Sequence, residues 1–195
     1  MIKNAFLLTL TFTLLFGGAY PLIVFLIGHV FFPFEAGGSL LFYPERQTVV
    51  GSQLIGQYFG SPNYFHLRPS TTSGEAYNAA SSSGSLTGPA SPALLEDVSA
   101  RMELYRTINF LPDGTCIPID AVTASASGLD PHISIMNALL QAPRVAQVRD
   151  LSEDEILALV QKHTERPFFG ILGETRVNVL MLNLALDQAF IEKEN

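Results

Sequence analysis

The 195-residue sequence predicts an α+β protein: one N-terminal transmembrane helix, then a single small soluble domain with about four helices and a few short strands. Three observations predict it. Residues 5–27, AFLLTLTFTLLFGGAYPLIVFLI, are an apolar run, and residues 4–33 contain no Asp, Glu, Lys or Arg. Helical periodicity and capping signals recur between residues 91 and 189. The strand-like stretches are short and do not alternate regularly with helices, as a parallel sheet with crossover helices would require.

The apolar run comes first. An α-helix rises about 1.5 Å per residue, so roughly 20 apolar residues cross a bilayer core. A cleaved signal peptide would have a shorter apolar core, about 7–15 residues, and a small-residue cleavage site. Here the run continues into HVFFPF (29–34), whose bulky aromatic side chains suit an interfacial anchor. Residues 1–33 are therefore expected to be an uncleaved anchor and residues 34–195 the soluble domain. Within the span, Thr9, Thr13 and Gly17 recur every four residues and share one face, which Pro21 extends with an expected bend. Small residues at that spacing let a second helix approach closely in lipid. The alternative is a lone anchor in which each Thr bonds its own backbone. Lys3 and the α-amine make the short N-terminal side the more positive, which places the N-terminus in the cytoplasm and the soluble domain outside the membrane.

Residues 34–46, with Gly37, Gly38 and Pro44, form the exit from the membrane, and residues 48–59 hold a short strand. Residues 69–92, PSTTSGEAYNAASSSGSLTGPASP, are small and polar. Their composition favours a flexible linker; an ordered loop presenting hydroxyls and backbone N–H groups to a partner is the functional alternative. Ser91 is expected to cap a helix whose first turn holds Pro92, Glu96 and Asp97, with Leu95, Val98, Met102 and Tyr105 inward. CIPIDAVTAS (116–125) reads as an edge strand broken by Pro118. A second helix, 134–149, turns Leu139, Ala142, Val145 and Ala146 inward, with Pro143 expected to kink or split it. Ser152 and Glu155 form a capping-box pair opening a third helix, with Ile156, Leu159, Val160 and His163 in one stripe. A fourth, 176–189, buries Val177, Leu180, Met181 and Leu184.

Beyond residue 33 the chain carries ten basic and eighteen acidic residues, a formal charge of −8. Such a domain is not drawn to nucleic acid or to anionic lipid headgroups. The lone Cys116 forms no internal disulfide, and His29, His66, His132 and His163 lack metal-site spacing. Gly51 and Gly56 frame GSQLIGQY like a phosphate-binding loop. The Lys and Ser/Thr that would neutralise phosphate and hold Mg²⁺ are replaced by Gln57 and Tyr58. Gly51, Gly56 and Gln57 remain weak nucleotide-binding candidates, against a plain turn with positive-φ glycines. ASSSG (80–84) imitates a nucleophile elbow centred on Ser82, though its flanks are loop-like. This supports the alternative of a membrane-anchored extracytoplasmic serine hydrolase. Asp130 and His132, in SGLDPHIS, line a polar partner surface or merely precede a helix capped by Asp130 or Ser134. With Tyr77 and Asn78 of the loop they make the partner-facing set. His163, in HTE, complements a helix C-terminus.

The strings GSQLIGQYF, YFHLRPS, AYN, VTASASGLDP, HIS, PRVAQVR, LS, HTE and RVNVLMLNLALD, in that order from about residue 51 to 188, resemble the C subunit of the Kdp-type potassium-transporting ATPase. The single N-terminal span matches that family's architecture. Ser83 and Leu86 depart from its usual loop, where a glycine and an asparagine stand, so a role for that loop does not carry over. The resemblance implies a non-catalytic accessory subunit of a high-affinity, ATP-driven potassium uptake complex in the cell inner membrane. Its partners would be a channel-like potassium-binding subunit, a P-type ATPase subunit, a small single-span subunit and the lipid bilayer. It implies help in assembly, and the role of a catalytic chaperone raising the pump subunit's ATP affinity. No cofactor is expected on this chain alone; ATP and potassium are handled by the complex. With the domain outside the membrane, an effect on ATP affinity is a coupling free energy carried through the span. A tenfold effect requires about 1.4 kcal/mol.

Overall fold

The structure is a computed structural model that describes residues 1–42 and 48–194, with side chains described through residue 190. Pro44, expected in the membrane exit, lies outside the described residues. The chain divides into two compact units, Met1–Ser52 and Gln53–Asn195.

In the first unit, Ile2–Phe31 form one long apolar helix with none of its most apolar window buried. It consists of α1 (Ile2–Leu14), a π-turn at Leu15–Ala19 and α2 (Tyr20–Phe31). Pro21 explains the π-turn. Its ring would collide with the carbonyl of residue 17 in a regular α-helix, and it donates no N–H. The widened turn relieves this, with the Tyr20 N–H bonded to the Leu15 carbonyl. Phe32 leaves helical geometry, α3 (Pro33–Ala36) follows, and β1 (Leu40–Phe42) pairs antiparallel with β2 (Val49–Ser52). The strand expected over 48–59 is confined to these four residues.

In the second unit, α4 (Pro92–Ile108), α5 (Ile119–Val122), α6 (Ile135–Arg149), α7 (Glu153–Lys162) and α8 (Val179–Glu194) surround an antiparallel sheet. The sheet is β3 (His132–Ser134), β4 (Thr164–Glu165) and β5 (Arg176–Asn178), in the order β3-β5-β4. Phe65, Ile133, Ala138, Ala142, Val145, Ile156, Val160, Val177, Val179, Leu182 and Leu186 make one buried cluster. Ile133 and Val177 are directly paired across β3 and β5, so one face of the sheet closes this core.

Four expectations are corrected. Residues 119–122 are a helical turn, not an edge strand. Asp120 there accepts from Ser134 N at 2.8 Å, Ser134 Oγ at 2.8 Å and Asn137 Nδ2 at 2.9 Å, a tertiary tie that overrides strand propensity. Helix α4 has no buried residue and Leu95 is exposed; Leu94 is half-buried in its place, with Val98, Met102 and Tyr105. Ser91 is its N-cap without a side-chain bond, and Glu96 and Asp97 fall beyond the first turn. Leu139 is exposed, and α6 runs through Pro143 unsplit. The two residues occupy the same outer face, so the carbonyl that Pro143 deprives of a partner faces water. Finally, residues 176–178 form β5 rather than a first helical turn, and Asn178 Oδ1 receives Met181 N at 3.2 Å to cap α8. Met181 and Leu184 are half-buried, and Leu182 and Leu186 fill the core. The Ser152–Glu155 capping box opens α7 as the sequence predicts.

Candidate partner-binding surface

The Ser-rich loop is the first ingredient. Its hydroxyls fasten it to residues 123–130. Ser70 Oγ donates to Gly128 O at 2.8 Å and accepts from Tyr77 N at 3.0 Å. Thr71 Oγ1 donates to Ser83 O at 2.9 Å, and Ser83 Oγ returns a bond to Thr71 O at 2.8 Å. Thr72 Oγ1 accepts from Asn78 N at 3.1 Å, and Asn78 Oδ1 from Ala80 N at 3.0 Å. The polar composition that suggests a linker therefore serves an ordered loop, in which side chains replace the missing backbone ladder. The glycines fit this contact. A Cβ on Gly128, at φ +69°, would lie 2.8 Å from Ser83 O, and one on Gly84 would lie 2.8 Å from Ala126 O.

Gly51 lies in β2, and Gly56 marks another close approach. The Gly56 N–H donates to Leu129 O at 2.9 Å, and a Cβ there would meet Asp130 O at 2.9 Å. Its φ is not positive; close packing, not turn geometry, requires glycine. No helix begins between residues 53 and 78, so the two glycines and half-buried Gln57 do not introduce a helix N-terminus. Ser82 follows a single 3-10 turn, Ala79–Ser81, and is extended; its Oγ donates to Ser127 O at 2.9 Å. A nucleophile elbow needs a strand before the serine and a helix after it.

Of the four residues expected to face a partner, Tyr77, Asp130 and His132 converge. Tyr77, at φ +62°, donates its hydroxyl to Arg68 O. Arg68 Nη1 binds Asp130 Oδ2 at 3.0 Å. Asp130 Oδ1 accepts from His132 N at 3.0 Å and lies 3.3 Å from His132 Nδ1. His132 Nε2 lies 3.5 Å from Glu165 Oε2, which Arg176 Nε holds at 2.9 Å. Asn78 sits apart from this chain of charges and caps the 3-10 turn. The sequence singled out Asp130 and His132, but Arg68, Glu165 and Arg176 are joined to them only by the fold. Burial pushes the Asp130 carboxyl up, but bonds from His132 and Arg68 outweigh it and hold the group below its ordinary 3.8. Burial, with Asp130 nearby, raises the Tyr77 phenol. The surface thus presents fixed charges of both signs, each positioned by hydrogen bonds.

Beneath it lies a buried polar ladder. Asn137 Oδ1 accepts from Tyr105 Oη at 2.7 Å and from Gln141 Nε2 at 2.8 Å. Gln141 also clamps His66, accepting from its N–H at 2.7 Å and donating to its carbonyl at 3.0 Å. Arg144, 1% exposed, donates to Asn109 Oδ1 at 2.9 Å, to Gln141 Oε1 at 3.0 Å and to Pro62 O. Burial brings the guanidinium down to about 10. Asn137, Gln141 and Arg144 stand at helical spacing in NALLQAPR, a polar stripe on the inward face that was the available sequence signal. Arg149 adds a salt bridge to Asp187 at 2.8 Å. The ladder holds segment 62–68 against α6 and so aims Arg68 at Asp130.

The family model described as KdpC, K+-transporting ATPase, c chain, matches residues 2–188. A potassium-transporting ATPase KdpC subunit of Methylibium petroleiphilum is 51% identical over 190 residues, covering 96% of each chain. The proteins of that name from Mycobacterium tuberculosis and Methylococcus capsulatus are each 50% identical. Their alignments cover 94% and 95% of this chain and 96% of the relatives. The apolar helix, the α+β domain and these matches together establish that the chain belongs to the KdpC family, the c chain of K+-transporting ATPases.

Proposed function

We propose that the chain is a non-catalytic subunit that holds a rigid docking domain beside the other subunits of the potassium-transporting ATPase. The supporting observation is the row Arg68–Asp130–His132–Glu165–Arg176, two ion pairs joined through one imidazole. Its members are partly exposed and fixed by one another. This is the arrangement of an electrostatically specific contact surface. Tyr77 and Asn78 shape the loop beside it. Thr9, Thr13 and Gly17 face a partner helix in lipid. Among the described residues a Cβ on Gly17 would meet nothing within 4 Å, which leaves that face open to a neighbour. The partners are the channel-like, the P-type and the small single-span subunits.

The N-terminus is placed in the cytoplasm and the domain outside the inner membrane, where diffuse negative charge raises the local potassium concentration. Effects on the pump's ATP affinity then travel as coupling through the subunit contacts, without nucleotide on this chain. Pull-down of the complex with Asp130→Arg tests the docking surface. Loss of the partners, with recovery in the Asp130→Arg/Arg68→Asp double variant, is not expected of a partner contact: swapping the pair restores the intramolecular bridge but reverses the surface. Persistent loss in the double variant, with normal unfolding, is the expected result; full partner recovery in it rejects the surface. Protease added to intact spheroplasts tests the topology, and a protected domain rejects it.

A further inference from the structure

Between β4 and β5 the chain makes a tight turn that does not follow the inside–outside logic of the rest of the domain. Phe168, Phe169, Ile171 and Leu172 are 67%, 83%, 83% and 64% exposed. They are consecutive but for Gly170, and the two Phe ring centroids lie 4.3 Å apart with the planes tilted by 56°. Isolated apolar residues on a surface are ordinary, whereas four large ones on a single turn mark an interaction site. The backbone makes the turn unusual as well. Phe168 N bonds to Leu172 O at 2.8 Å and Leu172 N to Phe168 O at 3.0 Å. Gly170 N bonds to Pro167 O at 2.9 Å and Ile171 N to Phe168 O at 3.2 Å. Positive φ at Phe169, Gly170 and Gly173 lets the chain reverse this sharply. The tip thus satisfies much of its own backbone while every large side chain points outward. A non-aqueous surrounding demands this, because an unpaired N–H or C=O has no water there to bind.

We propose that this Phe168–Leu172 tip inserts into the headgroup–acyl boundary of the bilayer to which the chain is anchored. The inference rests on the membrane-anchor assignment of Ile2–Phe31. Three observations favour lipid as the occupant. The chain carries its own span, so a bilayer is always within tether range, and tethering converts a weak contact into an intramolecular one. The chain is acidic, −7 overall, but the formal charges flanking the tip sum to zero: Arg166 and Glu174 offset each other in number, and Arg176 is paired with Glu165. The tip is therefore a place where an acidic domain approaches a headgroup layer without charge repulsion. Phenylalanine, isoleucine and leucine carry no polar group that insertion would strand.

The chain has no tryptophan, which makes the test direct. Full-length chain carrying Phe169→Trp is reconstituted into phosphatidylcholine vesicles, with and without bromine on the acyl chains. Flotation is scored first. Insertion to the boundary depth of about 5–10 Å predicts blue-shifted emission and roughly half the intensity lost in brominated lipid. Adding Ile171→Asp to the same chain should shift the emission back to the red and abolish quenching. A second reporter at exposed Leu95 on α4 (Leu95→Trp) should remain red and unquenched. Red, unquenched emission from the tip overturns the proposal. Blue but unquenched emission overturns it too, since the tip is then covered by protein, such as a second copy. A chain that fails to float with vesicles refutes the anchor assignment itself, and the tip insertion with it.

Discussion

Asn183 and Phe65 bind each other through both faces of one peptide segment: Phe65 N donates to Asn183 Oδ1 at 2.9 Å, and Asn183 Nδ2 donates to Phe65 O at 3.0 Å. Both residues are buried, so the amide stands in for a neighbouring strand at a point where the 62–68 segment has none. Asn183→Ala leaves two buried backbone groups unpaired and should cost about 2–4 kcal/mol. Asn183→Asp, which keeps an acceptor and loses the donor, should also destabilise. Denaturant unfolding of the full chain in detergent measures both. A loss below about 0.5 kcal/mol for the alanine variant would contradict the pairing's structural weight.

His66 links stability to mild acid. Burial, and secondarily the Arg144 guanidinium, lower its folded pKa below the ordinary 6.5. The unfolded chain therefore binds the proton more readily, and stability rises with pH between the folded and unfolded values. His66 thus contributes nothing unfavourable above about pH 6.5, and protein stability falls as pH drops through its depressed folded pKa. Asp130 acts lower on the scale: its stabilisation is present above 3.8 and is lost as pH falls through its folded value. His66→Gln should flatten the pH dependence of unfolding free energy just below pH 6.5, leaving the steeper acid limb in place. An unchanged slope there would show that another group titrates.

Gly128→Ala should release the Ser-rich loop. The substitution places a Cβ in left-handed backbone and within 2.8 Å of both Ser83 O and Thr72 Cγ2. A cost of about 1–3 kcal/mol is expected. Limited proteolysis reads the local effect: new cleavage between residues 69 and 92 is the predicted signature, whereas global loss of protection would mean that the domain itself has opened.

In the span, Gly17→Leu should lower recovery of the partner subunits in detergent without reducing the amount of anchored chain. Leu14→Val is the control on the apolar span. A Cβ at residue 17 meets nothing within 4 Å among the described residues, so equal recovery would remove that face from the interface.

The legible features are those whose causes are local. The apolar span is a property of consecutive residues, and the Ser152–Glu155 box completes itself within one turn. The illegible ones depend on distant groups. Residues 119–122 become helical because Asp120 reaches Ser134 and Asn137, which no propensity records. The apolarity of Leu139 suggests an inward place; the buried side of α6 instead holds Asn137, Gln141 and Arg144 beside the expected Ala142, Val145 and Ala146, and those polar groups grip the 62–68 segment. At the candidate site, Asp130 and His132 stood out by type and spacing. Arg68 is 62 residues upstream of its carboxylate, and only the fold joins them.

The π-turn above Pro21 has a mechanical consequence. A row of residues spaced four apart drifts by about 40° per step around a regular α-helix. The overwide Leu15–Ala19 turn sets part of that drift back, so the faces of α1 and α2 are offset in azimuth at one point. The π-turn therefore fixes which face α2 presents relative to α1, and a one-residue deletion beside Gly18 would re-phase the two halves while scarcely altering hydrophobic length.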